Sequence, residues 1–285
     1  MVGGTSGTLS LDGGGGTSNG SFGATVAGAT VNFAGGIFTL GTGANLTGAV
    51  GLTNATVDVE SAVSGSAASV LTQSGGTLAG AGTLTTAGSY VWNSGTQSGT
   101  GTTPVTGALS HSTSSSKFMS ESRTLRNEGT ATWSDGTLFV GGTARIENAG
   151  DLQATGDDSV NFNGGTPSFH NETEGTLAKT GGLLTSTIGI PFENDGVVAV
   201  SSGTLSASNL LNYSAATDVL TGGTYDVSAT FRFGNADVVT NAANVVLEGA
   251  GVIESTSSQN AFRNLATNAV AGQITLRGGA SLTTP

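Results

Sequence analysis

The chain has 285 residues, 48 of them Gly, with no Cys, 9% charged residues and a net charge of −11. Ordinary domains carry about a quarter charged residues, so this is an unusual surface. A disordered chain is excluded by 36% hydrophobic residues arranged in short alternating runs. Collagen is excluded because Gly follows no three-residue period. No Lys or Arg precedes Lys117, so a basic patch for nucleic acid or for an anionic membrane is missing. The absence of Cys rules out disulfides and Cys-ligated zinc. No apolar run approaches the ~18 residues of a membrane span.

In chain order, Met1-Val2-Gly3-Gly4 has neither the basic start nor the apolar core of a signal peptide. Residues 1–100 are rich in Gly, Ala, Thr and Val, with weak repeats such as Gly75-Gly76-Thr77-Leu78 and Gly82-Thr83-Leu84. Residues 101–122 are the most polar stretch, containing His111-Ser112-Thr113-Ser114-Ser115-Ser116, and read as a protruding loop or as a degenerate repeat.

Residues 123–208 hold a clear cassette: apolar, any residue, Asn, any residue, Gly. It occurs as Leu125-Arg126-Asn127-Glu128-Gly129 and Ile146-Glu147-Asn148-Ala149-Gly150. Phe169-His170-Asn171 reaches Gly175 after an insertion, and Phe192-Glu193-Asn194-Asp195-Gly196 closes the set. The Asn positions step by 148 − 127 = 21, 171 − 148 = 23 and 194 − 171 = 23. A fixed period in this range is the signature of a solenoid, each repeat one coil stacked on the last.

Between cassettes the chain alternates with period two and shows no sustained helical stripe. Leu138 with Val140, Ala144 with Ile146, Leu152 with Ala154 and Val160 with Phe162 are expected to face inward. Gly141-Gly142, Asn148-Ala149-Gly150, Gly156-Asp157 and Gly164-Gly165 break the strands and are expected to supply positive φ at corners. The expected fold is therefore all-β, a parallel β-helix of roughly 20–23 residues and about three strands per coil. Coils about 4.8 Å apart would give roughly 13 turns and a length of about 65 Å.

Two roles suit the cassette Asn. It either stacks its amide on the next one along the axis, or it holds a left-handed corner beside its Gly. Residues 209–285 are again strand-like, and Leu210-Leu211-Asn212 and Phe262-Arg263-Asn264 keep the apolar-x-Asn part without the Gly. The chain stops within a repeat at Leu282-Thr283-Thr284-Pro285. With no linker in view, 1–285 reads as one continuous solenoid segment of a longer extracellular repeat protein.

The stretch from Asn127-Glu128-Gly129-Thr130-Ala131-Thr132-Trp133 to Gly203-Thr204-Leu205 resembles the filamentous-haemagglutinin-like and autotransporter-passenger repeats of bacterial surface proteins. Leu220-Thr221-Gly222-Gly223-Thr224-Tyr225-Asp226-Val227 through Leu276 is similar to segments of the same kind. The resemblance implies secretion, a right-handed parallel β-helix and roles in adhesion or surface coating. Glycans, matrix or other cells would be the partners, and end-to-end self-association into a filament or surface layer is a rival role. The secretion domain and membrane barrel of such proteins are not expected within a segment of this kind.

Chemistry offers less. Gly156-Asp157-Asp158 resembles the Gly-Asp-Asp element of β-helical polygalacturonases, whose paired carboxylates do acid–base work. Of that family's other elements only Arg145-Ile146-Glu147 echoes one, ending in the wrong residue, and His170 lacks Gly neighbours. A solvated turn is the simpler reading, so no catalytic residue and no enzyme activity is assigned; a polysaccharide-active β-helix enzyme stands as an alternative function. Glu172, Glu174, Asp195, Asp157 and Asp158 would need to meet on one corner to hold Ca²⁺, and solvated turns again suffice; no metal or cofactor is assigned. His111 and His170 lie in no Gly-x-Ser-x-Gly elbow. Ice binding is a further alternative; it needs Thr-x-Thr in every coil, and Thr130-Ala131-Thr132 and Thr185-Ser186-Thr187 fit the triplet without recurring at the period. Trp92, Trp133, Tyr90, Tyr213 and Tyr225 are candidates for sugar-stacking platforms or for plain core packing.

Overall fold

The computed structural model describes residues 6–24 and 26–284. Residues 1–4 and Pro285, named above, lie outside the described residues. Every regular element described is a β-strand, and the strands stack in parallel as a β-solenoid of about twelve turns. By internal contacts the chain forms two compact units: 1–146 with 163–167, and 147–162 with 168–285.

In the first unit, successive coils lie residue over residue. Phe38, Val57, Leu78, Gln97, Met119 and Val140 form one inward column through the registered pairs. Val50, Leu71, Tyr90, Leu109 and Ala131 form another. The alternation of the sequence sets this: period-two strands put every second side chain inside, and the parallel register repeats that choice in the next coil. Residues 101–122 are a coil and not a protruding loop. They supply strands Thr102–Val105, Ala108–Ser112 and Lys117–Met119.

The second unit repeats the logic with Leu177, Val198, Tyr225, Val245 and Ile274 in one column. Leu205, Phe231 and Ile253 form a second. The register steps vary more than the cassettes suggest. Ser89 lies over Val70, a step of 89 − 70 = 19, and Gln273 over Asn244, a step of 273 − 244 = 29. Extra residues go into the corners. One such insertion is a short antiparallel hairpin, Tyr213–Ser214 against Val219 and Leu220, turned by Asp218 at φ 53°.

Leu138, Val140, Ala144, Ile146, Ala154 and Val160 are buried as expected, and Leu152 is half-buried. Phe162 is not: it is 55% exposed. The register with strand Thr185–Asn194 stops where Val160 pairs with Ile188. Beyond it the chain runs toward the corner of Gly164 and Gly165, where both residues have positive φ, and the pleat no longer holds Phe162 to the interior.

Gly142, Gly164 and Gly165 do have positive φ, but Gly141 does not, and neither do the cassette glycines Gly129, Gly175 and Gly196. They are needed for room. A Cβ on Gly175 would sit 2.1 Å from the Asn148 carbonyl oxygen, and one on Gly196 2.2 Å from that of Gly175. The corner of each coil rests directly on the corner below.

Gly175→Ala is therefore expected to cost about 1–3 kcal/mol, the usual range for overpacking. Gly20→Ala, where a Cβ meets nothing within 4 Å and φ is not positive, is expected to stay within about 0.5 kcal/mol. Urea unfolding of the two variants against the parent checks the contrast.

Candidate functional site

The cassette asparagines are inside. Asn127 is 3% exposed, and Asn148, Asn171 and Asn194 are fully buried. In the second unit they form a ladder. Asn148 Nδ2 donates to Asn171 Oδ1 at 2.7 Å, and Asn171 Nδ2 to Asn194 Oδ1 at 2.8 Å. Each amide nitrogen also donates to a backbone carbonyl of a neighbouring coil: Thr176 O for Asn148, Val197 O for Asn171 and Thr224 O for Asn194. A buried carboxamide needs both donors and its oxygen satisfied, and at Asn171 stacking in register does this: its oxygen accepts from Asn148 and its hydrogens go to Asn194 Oδ1 and Val197 O. None of the four has positive φ, so none serves as a left-handed corner.

Asn212 ends the series differently. Its Oδ1 accepts from Asn194 N at 2.7 Å and its Nδ2 donates to Asn194 O at 2.9 Å. One side-chain amide thus stands in for the backbone of a strand. Asn264, its counterpart in sequence, is exposed and bonded to the Asp237 carboxylate. A further rung escaped the sequence reading: Asn241, fully buried, donates to Asn268 Oδ1 at 2.8 Å. The signal was present, since Val239-Thr240-Asn241 and Ala266-Thr267-Asn268 keep the apolar-x-Asn spacing.

Other buried polar groups were not legible as such. Lys179 has no exposed surface. Its ammonium donates to Gly156 O at 2.6 Å, to Asp157 Oδ1 at 2.9 Å and to Gly181 O. Lys117, also fully buried, donates to Thr113 O and Ser115 O, both at 3.0 Å. Each ammonium gathers the carbonyls of a corner much as a small cation would. In the first unit a polar thread crosses the core. Arg123 donates to Thr103 Oγ1 at 2.7 Å, Thr103 to Gln97 Oε1 at 3.1 Å, Gln97 to Tyr90 Oη at 3.1 Å and Tyr90 to Gln73 Oε1 at 2.5 Å. Burial pulls the Arg123 guanidinium down to about 10, with Tyr90 opposing the fall, and burial raises the Tyr90 phenol.

These placements redefine the candidate chemistry. The Lys179 ammonium, with help from the Leu184 and Leu183 backbone N–H groups, holds the Asp157 carboxyl below its usual range. A general acid needs the opposite shift. Asp158 is half-buried beside it on the same turn. Glu172, Glu174, Asp195, Asp157 and Asp158 do not converge, and among the described residues no three His, Asp or Glu side chains gather as metal ligands. His170 Nε2 instead meets Asp195 Oδ2 at 3.0 Å on the surface.

The aromatic platforms do not exist. Trp92, Tyr90 and Tyr225 have no exposed surface, and Trp133 and Tyr213 are 7% and 9% exposed. Both indole N–H groups are spent on local carbonyls, Ser94 O and Gly136 O. The outward aromatic pair is Phe118 and Phe139, with centroids 5.3 Å apart and planes 14° from parallel. Stacked this way along the axis, the rings cover each other's faces and offer mainly edges to a ligand.

The outward positions of one sheet face in the first unit are small and uncharged over five coils. Ala49, Val70, Ser89, Ala108 and Thr130 make one row. Gly51, Thr72, Val91, Ser110 and Thr132 make the next. An open groove of about 490 Å³ lies beside its start, lined by Ala24, Ala27, Ala29, Gly48, Ala49 and Val70 among others, with no titratable side chain in its walls. Before Lys117 the whole sequence holds three charges: Asp12, Asp58 and Glu60. No family model, curated protein or solved structure matches this chain.

Lys179→Met is expected to destabilise the second unit by about 1–3 kcal/mol, because three acceptors lose their buried donor. Asp157→Asn should cost less when combined with Lys179→Met than in the parent. A double-mutant cycle by urea unfolding measures that coupling, and additive costs would show that the pair does not act as a unit.

Proposed function

We propose that this chain is a structural, adhesive solenoid. Its small-residue, uncharged sheet face in the first unit would lie against a flat, uncharged partner such as an ordered glycan surface. One observation carries the reading: the ten outward positions from Ala49 to Thr132 contain no charge and no side chain larger than Val or Thr. A sheet face of this kind meets a flat surface over a wide area with little side-chain entropy to lose and no charge to desolvate.

The chemistry-bearing groups support the same reading by where they point. The asparagines, the two buried lysines, Arg123 and the tryptophans are all committed to holding coils together. Asp157 is tied to Lys179 in place of being poised for proton transfer. The resemblance of the cassettes to haemagglutinin-like and autotransporter-passenger repeats favours a secreted, bacterial cell-surface setting for such a face.

Co-sedimentation with insoluble neutral polysaccharides, cellulose and chitin among them, tests the proposal. The parent is expected to pellet with at least one. Ser110→Arg with Thr132→Arg should lower that binding at least tenfold while leaving the thermal midpoint within about 2 °C, as outward substitutions do. Binding that survives both arginines, or no binding to any neutral glycan, would remove the support for this face.

A further inference from the structure

His111 is a buried titratable group whose ring nitrogen Nε2 holds no coil to its neighbour. It sits inside strand Ala108–Ser112 and is 7% exposed. Its ring meets the Trp92 ring edge-on, with centroids 5.2 Å apart, and it is registered against Trp133 of the next coil. Its Nε2 is buried and has no hydrogen-bond partner. Protonation would leave an Nε2–H without an acceptor and out of water, so burial here favours the neutral ring.

The surrounding charges do not rescue it. From strand Lys117–Met119 the buried Lys117 adds like charge. From strand Ser89–Gln97 the neighbouring titratable group is Tyr90, whose hydroxyl is committed to Gln73 and Gln97. From strand Thr130–Asp135, Asp135 pairs with the outward Ser112 and not with His111. The three rings Trp92, His111 and Trp133 thus span three successive coils of the first unit.

We propose that His111 is an acid-sensitive latch: protonation of its imidazole opens the coil that it occupies and brings Trp92 and Trp133 into contact with water. The proton comes from solvent and is taken up at Nε2, so opening is reversible. Burial first, and Lys117 second, lower the imidazole to about 3 in the closed form from an ordinary value of 6.5. Between those values the opened chain binds a proton that the closed one does not. The stability conferred by neutral His111 is therefore complete above pH 6.5 and is lost as pH falls toward 3.

The chain's own reporters make this testable, because Trp92 and Trp133 are its two tryptophans. Tryptophan emission of the parent is expected to shift to the red on acidification, between pH 6.5 and 3, and to recover at neutral pH. His111→Phe keeps a ring in place and cannot titrate. It should lower the midpoint of that shift by at least one pH unit, while His170→Gln leaves it unchanged. An unaltered midpoint in His111→Phe would overturn the proposal. Should that variant fail to fold, NMR titration of the parent decides: the His111 ring must titrate together with the emission change. Titration near pH 6.5 with no change in emission would also overturn it.

Discussion

Everything in this structure depends on one constraint: within each unit, a coil lies on the previous coil in parallel, residue over residue. Whatever a position needs, its neighbour along the axis needs too. An apolar side chain is buried by the apolar side chains above and below it. A buried amide finds its partner in the same amide one coil away, as Asn148, Asn171 and Asn194 do. A corner that approaches the corner below must give up its Cβ, which is why Gly175 and Gly196 are glycines without positive φ. The ladder of backbone hydrogen bonds supplies the spacing, and the interior side chains fix the register against slippage.

The interior is accordingly more polar than a solenoid needs for burial alone. Buried polar groups cost free energy unless every donor and acceptor is met. Most of the named groups are met along the axis, as in the asparagine ladder, or at the corners by backbone carbonyls; His111 Nε2 is an exception. Lys117 and Lys179 show the second solution, in which a buried ammonium replaces the solvent that those carbonyls would otherwise require. Such groups disfavour alternative registers, because a slip of one residue would leave them unpaired. One sheet face of the first unit is left plain, and the adhesive reading rests on that plainness.

Much of the fold was legible in the sequence, because period-two alternation and a repeated Asn are local signals. The strands around Leu138, Ile146 and Val160 could be placed inward from pattern alone. The fate of Phe162 could not, since it depends on where the register with the following coil ends. The burial of Lys179 and Arg123 was equally hidden. Alternation places such residues on the inner face, but hydrophobicity argues against it, and only the facing carbonyls and hydroxyls resolve the conflict. The uncharged face was hidden for a geometric reason. Its members recur at steps of 19, 21 and 22 residues (89 − 70, 70 − 49 and 130 − 108), and that uneven spacing obscures a row which is regular in space.

The claim that the stacked amides hold the coils in register is tested most directly by hydrogen exchange at the asparagine side chains. Carboxamide protons of Asn148, Asn171 and Asn194, followed by NMR in D₂O, should be protected nearly as strongly as the strand backbone, while those of the exposed Asn264 exchange at once. Exchange of the three at the Asn264 rate would show that the ladder is open to water and does not hold the fold.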